Sequence, residues 1–485
     1  MPEIKFVSNA PQLEGTYPLN FYVETETTTG RPALCGRPGH IYALDLGTAQ
    51  TAGVKAITYA GGFDTGNSHF GYVVNGTALQ MISVDALSVL ATASGSVGGS
   101  EIAAELIVGK NHVLVACGTG CQYSVKDETG PPYTPGAVTS ISISGVSSFQ
   151  SISYLDTYYL VAAKGTGRFY VSNVNDPTTF GATNWAECAR YSDNIMKLYA
   201  WHDQIFIFGN NSIEIWRNAG ATGGVPFRRV EGATILGVGL PYGGRYAVVG
   251  IGQHVYFMGF DKRVYRISGY GFEVIGTPVI HSLLRAVSAG TDIYFMSTLY
   301  KGHEWLIINA YGANVTLVYD ITTGMWFRWS YSATSTLDAI PFVCSEILPY
   351  GPVFGATAEM TGTQDWLFTL STTATQDVTG YSGGFTVKDI YRERVFPEIY
   401  SDEMISYHKL EVHGKPITNN ALNFSYSDDG GANYTAVETV TNSDGIFRCW
   451  QLGASRRKTF KISTTFASAS HEYYAAYVNA TPGTP

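Results

Sequence analysis

Residues Asp203–Arg217, DQIFIFGNNSIEIWR, read as a β-hairpin. Ile205, Phe206, Ile207 and Phe208 form an apolar, β-prone run. Gly209, Asn210 and Asn211 supply the turn, because Gly and Asn tolerate positive φ. Ile213, Ile215 and Trp216 return, with Glu214 and Arg217 interleaved. One such hairpin decides little. The chain repeats it.

Five more segments have the same plan: HFGYVVNGTALQMIS from His69, NHVLVACGTGCQYSV from Asn111, DTYYLVAAKGTGRFYVS from Asp156, GQHVYFMGFDKRVYRIS from Gly252 and TDIYFMSTLYKGHEWLIIN from Thr291. Aligning Tyr72, Val113, Tyr158, Ile205, Val255 and Ile293 gives steps of roughly 38 to 50 residues, the length of a four-stranded propeller blade. A single blade cannot cover both faces of its sheet, whereas blades stacked around an axis cover one another. The expectation is an all-β chain with a β-propeller of about six blades over residues 41–380. Neither a WD nor a kelch signature accompanies the repeat.

Around this core, residues 1–40 read as an extended N-terminal arm rich in Pro, Asn, Thr and Gly, ending in the turn signal Pro38-Gly39. Thr369–Gly384 is a polar, glycine-ended stretch. After it, KLEVHG, ALNFSYSDDGGANYTAV, FRCWQLG and RKTFKISTTF read as strands of a β-sandwich-like domain over 385–480, with 481–485 a frayed tail. The stretch Ile280–Val287, IHSLLRAV, is the one tempting helix. Long uncharged loops at Gly95–Ser100, Gly130–Gly136, Gly220–Pro226 and Leu240–Gly244 are placed to make contacts.

Composition narrows the function. Hydrophobic residues make up 45% of the 485, enough for a large core, and charged residues only 14%, against about 25% in an average globular chain. The formal net charge of −9 argues against gripping nucleic acid by counterion release. It is compatible with a wall past which DNA slides. Cys35, Cys117, Cys121, Cys188, Cys344 and Cys449 have no Cys-x-x-Cys pairs or His clusters beside them, so reduced, mainly buried thiols are expected and zinc is not. The N-terminus has no signal-peptide core. No apolar run approaches the roughly 18 residues of a membrane span, so no stable membrane insertion is expected.

No constellation argues for chemistry. Ser427–Tyr434, SDDGGANY, fits the sialidase-type Asp box, which is a structural turn even in sialidases. Arg190, Arg217, Arg228, Arg229, Arg263 and Arg266 could supply a carboxylate clamp, but none sits in a recognisable signature. His303-Glu304 lacks the second His of a zinc protease motif, and GVGLPYGG from Gly237 lacks the Lys-Ser/Thr of a phosphate loop. Expected catalytic, cofactor-binding and metal-binding residues are therefore none, and no cofactor is expected. Trp216, Trp305, Trp326 and Trp329 are expected in blade cores or between subunits.

Four stretches carry a family resemblance. They are YPLNFYVE from Tyr17 followed by Arg37-Pro38-Gly39, QIFIFGNNSIEIWRNAG from Gln204, HEWLIINAYGANVTLVYDITTGMWFRW from His303, and Phe424–Tyr434 followed by Ser455-Arg456-Arg457 and Phe460. In order and spacing the chain resembles the packaged-DNA stabilisation proteins of short-tailed bacteriophages, the tail hub or nozzle proteins. The resemblance implies a virion tail protein made in the host cytoplasm, with no catalytic residues. It implies a homohexameric ring below the portal–adaptor that retains packaged DNA and conducts it during ejection. Tail fibres or spikes would attach outside, and a needle or plug protein would close the end. Duplex DNA would pass without specific binding, along a lumen of polar and acidic side chains. Arg392, Arg394, Arg456, Arg457 and Lys458 would then lie on protein interfaces or outer faces. Two other readings stay open: a sialidase-like propeller glycosidase or lectin acting on host surface glycans, and a generic propeller scaffold.

Overall fold

The structure, a computed structural model, describes residues 3–6, 17–25, 32–48, 50, 52–62, 69–127, 132–188, 190–191, 193–220, 224–287, 292–357, 360, 364–381, 384–416, 420–465 and 471–482. Antiparallel strands dominate it. Alternating β-branched and aromatic residues, broken by Gly, Asn and Asp turns, set strands of four to nine residues through most of the propeller. Seven sheets arise in succession. Blade 1 runs Val54–Gly62, His69–Asn75, Ala78–Ser83, Ser88–Thr92. Blade 2 runs Glu105–Val108, His112–Cys117, Gly120–Val125, Thr139–Ser140, and blade 3 Phe149–Leu155, Tyr158–Ala163, Arg168–Val171, Trp185–Glu187. Blade 4 runs Lys197–Trp201, Gln204–Phe208, Ser212–Asn218, Phe227–Arg229, and blade 5 Val248–Ile251, His254–Met258, Val264–Ser268, Gly271–Val274. Blade 6 runs Ile293–Tyr300, His303–Ala310, Val315–Asp320, Met325–Trp329.

The expected six blades are corrected to seven. Blade 7 takes three strands from Phe342–Leu348, Gly351–Ala356 and Gln364–Leu370, and its fourth from His40–Thr48, far back in the chain. Leu44 and Leu46 of that closing strand pack with Val54, Ile57, Leu348 and Leu367, and so fasten the last blade to the first. Each neighbouring pair of blades shares its own apolar cluster. Phe206, Phe208, Ile213 and Ile215 of blade 4, for example, meet Val255, Phe257, Tyr265 and Ile267 of blade 5. The hydrophobic core is thus a ring of interblade layers, and each layer needs both of its blades. Four of the eight tryptophans, those expected in blade cores, lie in such layers: Trp305 and Trp326 are fully enclosed, and Trp216 and Trp329 nearly so.

The expected helix forms as Pro278–Arg285 between blades 5 and 6, with Thr277 as its N-cap and Ile280 and Leu284 buried. The stretch expected as an extended arm does more than trail. Phe21–Thr25 and Pro32–Gly36 make a hairpin in a ten-stranded sheet with the C-terminal strands. That sheet includes Ile399–Gly414, Asn420–Ser427, Thr435–Asn442, Ala454–Thr464 and Glu472–Pro482. Residues 1–2, 7–16 and 26–31 of the arm, and 483–485 of the tail, lie outside the described residues. Leu19 sutures the two parts of the fold. It bridges Arg328 on the outer strand of blade 6 on one side and Glu393 on the other.

Candidate functional site

Two places in the fold could carry function: the propeller axis, and the junction between propeller and C-terminal sheet. The first strands of the blades surround the axis, and polar side chains from them meet across it. Glu105 of blade 2 accepts hydrogen bonds from Ser151 Oγ and Ile152 N of blade 3, both at 2.8 Å, and pairs with Lys197 of blade 4 at 2.9 Å. Arg245, in the connection into blade 5, reaches furthest. It donates to the carbonyls of Gly118 (3.2 Å) and Gln150 (2.9 Å), to the Glu101 carboxylate, and to Tyr246 Oη (2.6 Å). Tyr246 Oη in turn donates to Ala103 O at 2.6 Å. Burial opposes the Arg245 charge, but Tyr246, Glu105 and Glu101 outweigh it and its pKa is raised. Burial drives the Tyr246 phenol well above its ordinary value.

This network pins the axis shut. Arg245 and Tyr246 line two axial spaces, one of about 370 Å³ among first strands of all seven blades and a mouth of about 630 Å³ toward one face. A B-form duplex, whose major groove alone is about 12 Å wide, has no passage along an axis crossed by Arg245.

At the junction, Asp377 receives Arg37 through both oxygens (2.9 and 2.5 Å) and His40 Nδ1 at 2.9 Å. Burial works against the Asp377 charge, but Arg37 and His40 hold its carboxyl far below the usual carboxylate range. Asn20, at φ 58°, accepts from Arg37 Nε at 2.8 Å and donates to Ser330 O and Tyr391 O. N-terminal hairpin, blade 6 and connector thereby share one buried network. Nearby, His303 of blade 6 stands between Asp320 (2.7 Å) and Glu24 of the hairpin (3.2 Å). The hydrogen bond to Asp320 outweighs burial, and the His303 pKa is raised.

The Asp-box stretch is a turn between Asn420–Ser427 and Thr435–Asn442. Asp429 accepts from Asn433 N at 2.9 Å, and Gly431 N donates to Ser427 Oγ at 2.8 Å. The expected placement of the basic residues needs correction. Arg456 and Arg457 are exposed, but Arg392, Arg394 and Lys458 are buried inside the chain's own fold. Lys458 donates to Leu452 O at 2.6 Å, pairs with Asp428 at 2.9 Å and stands 3.7 Å over the Tyr426 ring. Arg392 donates to the carbonyls of Ile390 and Arg37, and burial lowers its pKa to about 10. Sequence alternation could not reveal this, because Lys and Arg are ordinarily solvent-facing.

Arg190, Arg217, Arg228, Arg229, Arg263 and Arg266 do not converge on the axis. None lines either axial space, and the arginine that does, Arg245, was not singled out from the sequence. Its only local signal is the Gly-rich loop PYGGR before blade 5. All six cysteines are free, and Cys344 alone is not fully buried. Among the described residues no group of three or more His, Cys, Asp or Glu could hold a metal ion. Among them, too, no helix is long and apolar enough to cross a membrane.

A family model described as bacteriophage P22 Gp10, β-propeller, matches residues 36–346, from before the closing strand into blade 7. The chain belongs to that family. It is a structural phage-tail protein of the packaged-DNA stabilisation type, and its place is the virion tail. The P22 Gp10 family match spans the blades whose hairpins carry the sequence repeat. None of the curated proteins matches the chain. Similar solved structures include the crystal structure of the computationally designed Ika8 protein, at 9% identity and TM-score 0.38, over 68% of this chain and 99% of that one. Another is KlHsv2 with loop 6CD replaced by a Gly-Ser linker, at 8% identity and TM-score 0.31, over 53% and 79%.

Proposed function

We propose that this phage-tail protein is the tail hub, or nozzle, of a short-tailed phage. In this reading it is a homohexameric ring that docks below the portal–adaptor, retains the packaged genome and conducts it during ejection. The family match carries the reading. The pinned propeller axis adds a constraint: the DNA path runs between subunits, around the ring axis, and not through any one propeller. Retention then comes from closing that ring, by loops or by a needle or plug protein. Fibres or spikes dock on outward faces. Duplex DNA passes without being held, in keeping with the net charge of −9. The protein acts without catalysis, and among the described residues no arginine cluster of the sialidase kind faces the axis.

Electron microscopy of the purified protein mixed with portal–adaptor complexes tests this. Six-fold rings seated on the adaptor are expected, with no turnover of fluorogenic glycosides. A monomer that ignores the adaptor, or one that hydrolyses glycosides, would sink the reading.

A further inference from the structure

The axial mouth has a composition that the hub role does not use. It opens on the face where the turns between second and third strands converge with the connections between blades. Gly118, Gly165 and Asn210 come from such turns, and Glu101 and Arg245 from such connections. Its volume of about 630 Å³ lies in the ordinary range for small-ligand sites, about 300–1,000 Å³. Tyr242 stands on its rim at 80% exposure, an aromatic face held in water on a rigid seven-bladed frame. Deeper in, Tyr246 and Tyr294 add two more rings, packed 5.7 Å apart.

The polar groups decide the class of ligand. Arg245 is already committed to Glu101 and to two backbone carbonyls, so its charge is not offered to an anion. The lining also carries Lys164 and Asp292, one charge of each sign, together with the amides of Asn194 and Asn210; the Gln150 amide already donates to Met196 O at 3.3 Å. A site for phosphate or a nucleotide would carry a surplus of cations, and a site for a metal a surplus of carboxylates. This one balances. Amides offer a donor and an acceptor side by side, which suits neighbouring hydroxyls, and tyrosine faces suit the C–H face of a pyranose ring.

We propose that the propeller mouth binds a saccharide of one to a few rings, stacked on Tyr242 and hydrogen-bonded by Asn210, Asn194 and Lys164. The site belongs to the single chain and does not depend on assembly or on the hub reading. A tail protein with such a site could touch a sugar of the host surface without cleaving it.

Saturation-transfer NMR on the full chain tests this. One arm uses the methyl glycosides of glucose, galactose, mannose, rhamnose and N-acetylglucosamine. The other uses purified lipopolysaccharide O-polysaccharide. Transfer to a ring in either arm is expected. It should weaken by roughly tenfold or more in affinity for Tyr242→Ala, the scale of one lost aromatic contact plus its buried area. Asn210→Ala should weaken it as well. Tyr350→Ala removes a tyrosine that is 70% exposed in the turn between the first two strands of blade 7, at the other end of the axis, and should leave binding intact. Both tyrosines are exposed, so the variants should fold, and a thermal melt verifies it. Silence from every sugar overturns the proposal, as does transfer that survives the Tyr242→Ala, Asn210→Ala double variant.

Discussion

Glu346, on the first strand of blade 7, shows what one buried group does to the whole. Burial raises its pKa from 4.5 to about 7, and the Tyr59 backbone N–H offsets this only in part. A carboxyl whose folded pKa is raised binds its proton more tightly when folded. Its contribution to stability is therefore full below about pH 4.5 and is lost as pH rises through about 7. Glu346→Gln should match the parent in stability at pH 4 and exceed it at pH 8. The gain is on the order of 3 kcal/mol at most, since the side chain keeps some solvent access. Denaturant titrations at the two pH values check it, and an equal difference at both would be the wrong outcome. Trp216 is the opposite case, a residue whose place was readable. Its indole donates to Glu214 at 2.9 Å and meets the Phe169 ring edge-on at 5.2 Å, between blades 3 and 4. Trp216→Ala should cost about 3–5 kcal/mol. A urea midpoint equal to the parent's would show that the indole does not hold those blades together.

At the scale of elements, the hairpin signal was legible because each turn is marked by Gly, Asn or charged residues between apolar runs. Five of the six hairpins prove to be second and third strands of blades 1 to 5. The sixth, from Thr291, pairs the first and second strands of blade 6, Ile293–Tyr300 with His303–Ala310. The seventh blade escaped because it has no complete local signature. Its outer strand, His40–Thr48, pairs with Gln364–Leu370, more than three hundred residues away, and no local window contains both. That pairing makes a prediction. A chain starting after residue 48 leaves the Gln364–Leu370 edge open and the Leu348 and Leu367 side of the layer uncovered. It should aggregate or melt without cooperativity, as read by size-exclusion chromatography and calorimetry. A monodisperse truncation with an unchanged Tm would mean the ring closes without its strap.

For the whole molecule, the outer rim of blade 5 is the feature most suited to assembly. Tyr270, Phe272 and Val274 stand 42–51% exposed along its last strand or beside it. An open strand edge carrying apolar side chains invites a partner. Phe272→Asp should leave the melting temperature within a degree or two, as surface changes usually do, yet reduce ring formation on the adaptor. Mass photometry of parent and variant reads it, and rings of equal abundance would place the subunit contact elsewhere.

The sequence by itself determined the strand-by-strand character of this protein, the hairpins, the short helix and the burial of Trp216, Trp305, Trp326 and Trp329. These follow from local alternation and turn chemistry, which act over a few residues. The family, too, was readable from short ordered stretches. Only the tertiary structure decided the number of blades, the joining of the N-terminal hairpin to the C-terminal sheet, and the burial of Arg392, Arg394 and Lys458. It alone drew Arg245, Glu101, Glu105 and Lys197 across the axis. Most of these depend on contacts between residues remote in sequence, such as Arg392 with Arg37 O and Lys458 with Asp428. A charged side chain carries no local mark of the partner that will accompany it inside, because that partner is supplied only when distant strands come together.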